Sequence, residues 1–228
     1  MDAKLVSLIA ASAAFVGSHF LLSHPLRARL VAAVGPGGFQ ALYSLFAFAG
    51  LGWMVMAFVA IGPQGAVLWD GTSDAIWALA SLLTLIASVL LLGSFMGNPA
   101  LPAPNAAQHA ARGVHGVFHV TRHPMMWAIA LWGVAHILVR PDPRTGVLAG
   151  SFILLALLGS HFQDRKKQEL MGGAWQVWQA QTSFWPRPLG LLSAGIVPWL
   201  GGLVLWLGAT WAHVWLVYIP AGVWRWLG

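Results

Sequence analysis

Two histidines, His19 and His136, lie inside long apolar stretches of the sequence. His19 falls within 5–22 and His136 within 125–139, and neither stretch contains an Asp, Glu, Lys or Arg residue. An imidazole at this depth of a bilayer needs a bonding partner, because lipid supplies none. A transition-metal ion or a haem iron would bind two neutral imidazoles at once. The alternative is a hydrogen bond from each ring to a Ser, Thr or backbone carbonyl of a neighbouring helix.

The helical neighbours of both histidines fit a slot for a flat macrocycle. Phe15 precedes His19 by four residues, and Trp132 and Gly133 precede His136 by four and three. These spacings put the residues on one helix face. A glycine would let a porphyrin approach, and an aromatic side chain such as Trp132 would cover it.

A second group of histidines could bind a metal ion. His109, His115, His119 and His123 are separated by six, four and four residues. On one helix the last three would share a face, and three histidines suffice for zinc. The alternative is that they are solvated loop residues.

A basic motif precedes the second of these apolar stretches. Arg122 and His123 stand before Pro124, which is suited to the first turn of a helix. A cation at a helix N-terminus can hold an anionic group such as a propionate or phosphate; alternatively it anchors the helix at the membrane surface. Asp164 could pair with Arg165 beside it or with Arg122.

Composition indicates a membrane protein. Of the 228 residues, 58% are hydrophobic and 8% are charged, whereas soluble domains carry about 25% charged residues. The net charge of +6 is then typical of cytoplasmic loops and does not indicate nucleic-acid binding. The absence of cysteine excludes disulfides, Fe–S clusters and covalently attached haem.

The apolar stretches predict an all-α polytopic transmembrane helix bundle, formed by residues 1–228 as one domain. Six segments approach the roughly 20 residues that a spanning helix needs: 5–22, 39–61, 75–96, 119–139, 147–162 and 191–218. Residues 163–185 predict an amphipathic surface helix before the last span. Its Trp175, Trp178 and Trp185 are expected to face lipid.

The distribution of charge predicts an orientation in the membrane. Most basic residues fall in the first, third and fifth connections between the segments, whereas the second carries Asp70 and Asp74. By the positive-inside rule the odd connections are cytoplasmic, and both termini are periplasmic.

Four sequence motifs resemble those of the NnrU family. The first is GSHFLLS at 17–23, followed by Leu26 and Arg27; the second is the Arg-His-Pro motif at 122–124. The third is LWGVAH at 131–136, and the fourth is the Asp-Arg pair at 164–165. The resemblance covers nearly the whole chain up to the predicted surface helix.

This resemblance implies a cofactor and a localisation in the bacterial inner membrane, and three functions stay open. The family includes bacterial proteins linked to nitrite and nitric oxide metabolism, and the plant 15-cis-ζ-carotene isomerase, which contains haem b. The proposed axial ligands of that isomerase match His19 and His136. The resemblance thus implies non-covalent, bis-histidine haem b, with Arg122 and His123 near the propionates. The three alternatives are a redox or nitric-oxide-linked protein, a haem-dependent isomerase, and a cofactor-free assembly protein. The implied partner is an electron-transfer protein or a lipophilic substrate.

Overall fold

A computed structural model describes residues 2–63, 66–102 and 104–227. The longer helices are α1 (Ala3–Ser23), α2 (Arg27–Ile61), α3 (Asp74–Gly93), α5 (Pro124–Val139), α6 (Pro143–Met171) and α8 (Ile196–Val217). Shorter helices are α4 (Ala106–Ala111), α7 (Gly173–Gln181) and α9 (Trp224–Leu227), and two 3₁₀ turns lie at Gly116–His119 and Pro188–Ser193.

The helices confirm the predicted all-α bundle of about six spans. Within the described residues, five helices are long and apolar enough to cross a bilayer, and α5 is a shorter apolar helix of 16 residues. Their composition indicates a lipid environment. In the fourth segment, 119–139, His119 ends a separate 3₁₀ turn, and the helix begins at Pro124, which confirms the start predicted from the Arg-His-Pro motif.

Two other helices differ in length from the predicted segments. Helix α2 starts at Arg27, whereas the predicted second segment starts at residue 39. The helix is kinked at Gly35, which has a φ of 73° and precedes Pro36. This backbone conformation favours glycine. Helix α6 has 29 residues and therefore extends well beyond the fifth predicted segment, 147–162.

The spanning helices pack as a row. The neighbouring pairs are α2 with α1, α1 with α6, α6 with α5, α5 with α3, and α3 with α8. Glycines permit close approach at these contacts, as is common in membrane helices. A Cβ on Gly133 would lie 2.8 Å from Cγ1 of Ile153 in α6, and a Cβ on Gly202 would lie 2.7 Å from Cα of Val89 in α3. Gly133 therefore packs α5 against α6 and does not open a macrocycle slot.

The predicted surface helix has a different structure. Its first part continues α6, and the helix before the last span is α7, of nine residues. The prediction that Trp175 and Trp178 face lipid is wrong: both are 0% exposed and pack with Phe118 and Ala110. Only Trp185 of the three is exposed.

The connections between the spans gather at two ends of the bundle. At one end, Lys167 Nζ donates a 2.9 Å hydrogen bond to the Leu101 carbonyl, which joins the third and fifth connections. At the other end, the Leu68 amide donates to the Pro141 carbonyl, which joins the second and fourth. We call these the basic end and the terminal end. Which membrane side each faces stays a prediction.

Candidate functional site

A buried ion pair stands at the basic end of the bundle. Arg122 Nε lies 3.0 Å from both carboxylate oxygens of Asp164, and Arg122 Nη2 lies 2.5 Å from Oδ2. His123 Nε2 donates to Oδ1 of the same carboxylate at 2.8 Å. Of the two partners left open for Asp164 by the sequence, the structure selects Arg122, 42 residues away. Arg122 and His123 are thus occupied by a group of the protein itself.

Burial controls the protonation of His123, whose side chain is 1% exposed. Burial lowers the pKa of His123 below 6.5, although the hydrogen bond to Asp164 opposes this shift; the positive charge of Arg122 lowers the pKa further. The ring is therefore neutral at pH 7, and its Nε2–H donates to Asp164.

Backbone and hydroxyl hydrogen bonds hold this arrangement in place. The Arg122 amide donates to the Ser183 carbonyl at 2.8 Å, and Thr121 Oγ1 donates to the Phe184 carbonyl at 2.8 Å. Trp127 Nε1 donates to the same Phe184 carbonyl at 2.9 Å. The start of α5 is consequently tied both to α6 and to the segment that follows α7.

His19 lies in α1 and lines a cavity of about 360 Å³ among α1, α2, α5 and α6. Its Nδ1 donates to the Phe15 carbonyl at 2.7 Å, and its ring contacts Phe15 and Tyr43 with centroid separations of 4.4 and 5.3 Å. Since Nδ1 is already bonded, Nε2 is the ring nitrogen left for a ligand. We call this cavity the His19 chamber.

The His19 chamber is apolar inside and cationic at its mouth. Phe20, Phe152, Met126 and Ile129 contribute to its walls, and Lys166 stands at its edge. An adjoining cavity of about 620 Å³ shares four residues with the chamber and is also lined by Arg27 and Lys167. Among the described residues, none of the following cations forms an ion pair: Arg27, Lys166 and Lys167.

His136 lines a different cavity, of about 110 Å³, among α3, α5 and α8. Its Nδ1 donates a 2.8 Å hydrogen bond to the carbonyl of Trp132, one turn earlier in α5. His19 makes the equivalent bond to the Phe15 carbonyl in α1. Trp132 lies against the imidazole with 4.2 Å between ring centroids. The ring of His213 also neighbours that of His136, with 6.0 Å between the ring centroids.

The structure does not bring His19 and His136 together. Helix α6 packs between α1 and α5, and Phe152 of α6 contacts both Phe15 and Trp132, with 5.7 Å between centroids in each pair. The two imidazoles line different cavities, and a series of ring contacts through Phe15, Phe152 and Trp132 connects them. Along α5, His136 is seven residues beyond Ile129, the last α5 residue that lines the His19 chamber, or about 10 Å further.

The predicted histidine cluster does not form one helical face. His109 belongs to α4, His115 precedes a 3₁₀ turn that contains His119, and His123 precedes α5. His115 bonds instead to the Met96 and Gly113 carbonyls. In the part of the chain that the structure describes, there is no group of three or more His, Cys, Asp or Glu side chains that could hold a metal ion.

Two contributors to these cavities were missed by the sequence reasoning. Tyr43 packs on His19, although only its position within an apolar span was visible in the sequence. His213 lies within the last apolar segment of the sequence, but its position beside His136 depends on how α5 and α8 pack around α3.

One comparison with known proteins identifies a match. The sequence profile of the family described as NnrU protein matches residues 7–221. No curated protein and no solved structure matches the chain.

Proposed function

This chain belongs to the NnrU protein family, and from that premise we propose that it binds haem b within the membrane and takes part in nitrite or nitric oxide metabolism. The observation that carries the haem assignment is the position of His19. Its imidazole has one nitrogen fixed by a backbone carbonyl and lines an apolar cavity. Such a second hydrogen bond fixes the tautomer and orientation of metal-binding histidines.

The residues around His19 fit a haem group by their chemistry. Aromatic and aliphatic side chains line the chamber, and its volume lies within the range of about 300–1,000 Å³ typical of small-molecule sites. Arg27, Lys166 and Lys167 would hold the two propionates at the mouth. This differs from the predicted role of Arg122, whose guanidinium binds Asp164.

Whether a second histidine would hold the iron decides which type of function is favoured. The assignment of His136 to that role stays a prediction, and His136 lines a different cavity from His19. Among the described residues, no helix facing α1 contributes a histidine to the His19 chamber. A bound haem would supply redox chemistry and an iron position for a small ligand such as nitric oxide. Ligand-dependent chemistry is accordingly favoured over electron transfer alone.

The proposal is tested by the optical spectrum of the purified protein from haem-replete cells. We expect a haem b spectrum for the wild type and for His119→Ala, because His119 is exposed. We expect its loss in His19→Ala. A colourless wild-type preparation, or full haem content in His19→Ala, would refute the haem assignment. A nitric-oxide-dependent shift of the reduced spectrum then tests the link to nitric oxide.

A second candidate is a cis–trans isomerase acting on a lipophilic polyene. The observation that favours it is the apolar wall of the chamber, in which Phe20 and Phe152 stand beside His19. Conversion of 15-cis-ζ-carotene in cells that make this compound would support the isomerase. Absence of conversion together with a nitric-oxide-dependent spectrum would favour the first candidate.

We also propose that the basic end is cytoplasmic and that the protein resides in the bacterial inner membrane. The basic end carries Arg27, Arg122 and Lys166, and the terminal end carries an Arg225–Asp74 ion pair of 3.2 Å. The positive-inside rule supports this orientation. We expect a reporter that is active only in the periplasm to be active when it is fused to either terminus. Inactive fusions would contradict this orientation.

A further inference from the structure

Arg165 is the half of the Asp-Arg motif at 164–165 that the buried ion pair does not use. Asp164 binds Arg122 and His123, whereas Arg165 is exposed and forms no ion pair with a described residue. Arg165 lines a cavity of about 380 Å³ among the end of α1, the start of α2 and the end of α6. We call this cavity the Arg165 groove.

The Arg165 groove is cationic. Arg27 and Lys166 line it together with Arg165, and none of the three forms an ion pair with a described residue. The carboxylate that the structure places in the lining is that of Glu169, which is exposed and is also unpaired among the described residues. Three like charges that line one cavity repel one another, so the binding of an anion there is favoured.

The groove lies at the depth where the apolar part of the bundle ends. The apolar stretch of α6 ends at Phe162, which lines the groove, and Arg165 follows three residues later, or about 4.5 Å along the helix. Leu158 and Leu154, one and two turns before Phe162, are 40% and 49% exposed. A spacing of four residues puts these side chains on one face of the helix. An acyl chain can therefore follow this face while a phosphate stays beside Arg165.

We propose that the Arg165 groove binds the headgroup of an anionic phospholipid such as phosphatidylglycerol. Arginine and lysine are the side chains that bind phosphate, arginine through paired hydrogen bonds. Basic pockets between membrane helices bind the headgroups of anionic lipids in this way. The apolar face beside the groove favours a lipid over a free phosphate ion, because only a lipid has apolar surface to bury there.

A lipid phosphate in the groove is compatible with haem propionates nearby. Arg165 lines neither of the two cavities assigned to haem. Arg27 and Lys166 line the groove as well as the cavity assigned to the propionates, which Lys167 also lines. The charges of these four cations are offset by two propionates, one lipid phosphate and the carboxylate of Glu169. The inference goes beyond the proposed function and does not depend on haem binding.

The test is native mass spectrometry of the purified full-length protein in a neutral detergent, titrated with dioleoyl phosphatidylglycerol. The matched lipid is dioleoyl phosphatidylcholine, which has the same acyl chains and no net charge. We expect the first phosphatidylglycerol to bind about tenfold or more tightly than phosphatidylcholine, because only its headgroup carries a net negative charge beside the cations. We expect Arg165→Gln to weaken phosphatidylglycerol binding roughly fivefold, because it removes one of these cations.

Two control variants accompany Arg165→Gln. Arg112→Gln is expected to bind as the wild type does, because Arg112 is exposed at the basic end and does not line the groove. Arg165→Lys keeps the charge and is expected to retain most of the affinity. Equal affinity for the two lipids, or equal affinity of Arg165→Gln and Arg112→Gln for phosphatidylglycerol, would overturn the proposal. Displacement of the lipid by an equal concentration of glycerol phosphate would also overturn it, because the groove would then be a site for free phosphate.

Discussion

Removal of the Asp164 carboxylate is expected to destabilise the protein strongly. In Asp164→Asn the guanidinium of Arg122, 12% exposed, loses its charged partner. The 1% exposed His123 loses the charged acceptor of its Nε2–H hydrogen bond. Breaking a buried pair by removing one partner costs about 3–5 kcal/mol. For a chain of this length each kcal/mol lowers Tm by about 2–4 °C, so a fall of roughly 6–20 °C is expected.

The assay is thermal unfolding at pH 7 in detergent, followed by the fluorescence of the tryptophans. The matched control is Glu169→Gln on the same helix, because Glu169 is exposed and such substitutions change stability by about 0.5 kcal/mol or less. The double variant Arg122→Gln with Asp164→Asn is expected to lose less than the sum of its single variants, since the two residues are in contact. Equal melting of Asp164→Asn and Glu169→Gln would refute the ion pair.

Three further predictions concern packing and protonation. Gly202→Ala lowers the unfolding free energy by about 1–3 kcal/mol, because its Cβ would meet the α3 backbone, whereas Gly208→Ala has open space and is neutral or stabilising by thermal melting. Trp178→Ala costs about 3–5 kcal/mol, and the exposed Trp185→Ala costs far less; equal effects would contradict the packing of α7. The pKa of His123 is lowered on folding. As the pH falls, the unfolded chain therefore binds a proton at His123 before the folded protein does. Stability therefore falls as the pH drops below 6.5, and His123→Gln flattens that dependence in denaturant titrations.

The spans were predictable because hydropathy is a local property of the sequence. Their ends were less predictable, since they depend on contacts with distant segments. The start of α5 at Pro124 was predictable, but not its ties to Ser183 and Phe184, which Arg122 and Thr121 bind. Trp175 and Trp178 look like interfacial anchors by composition, but they are covered by α4 and Phe118.

The sequence showed which histidines lie deep in apolar stretches but not which residues surround them. The depth of His19 and His136 follows from the apolar stretches around them. That α6 separates them, and that α8 brings His213 beside His136, follows from the order of helices in the row. Chain order alone does not determine that packing order. Asp164 meets Arg122 for the same reason, although 42 residues separate them.

The most direct test of the central claim is chemical rescue at His19. His19→Gly removes the imidazole and enlarges the His19 chamber. We predict that the purified variant contains little haem when expressed without imidazole, and that haem incorporation and the haem b spectrum return when imidazole is supplied during expression. Full haem content in His19→Gly, unaffected by imidazole, would contradict the assignment of His19 as an axial ligand.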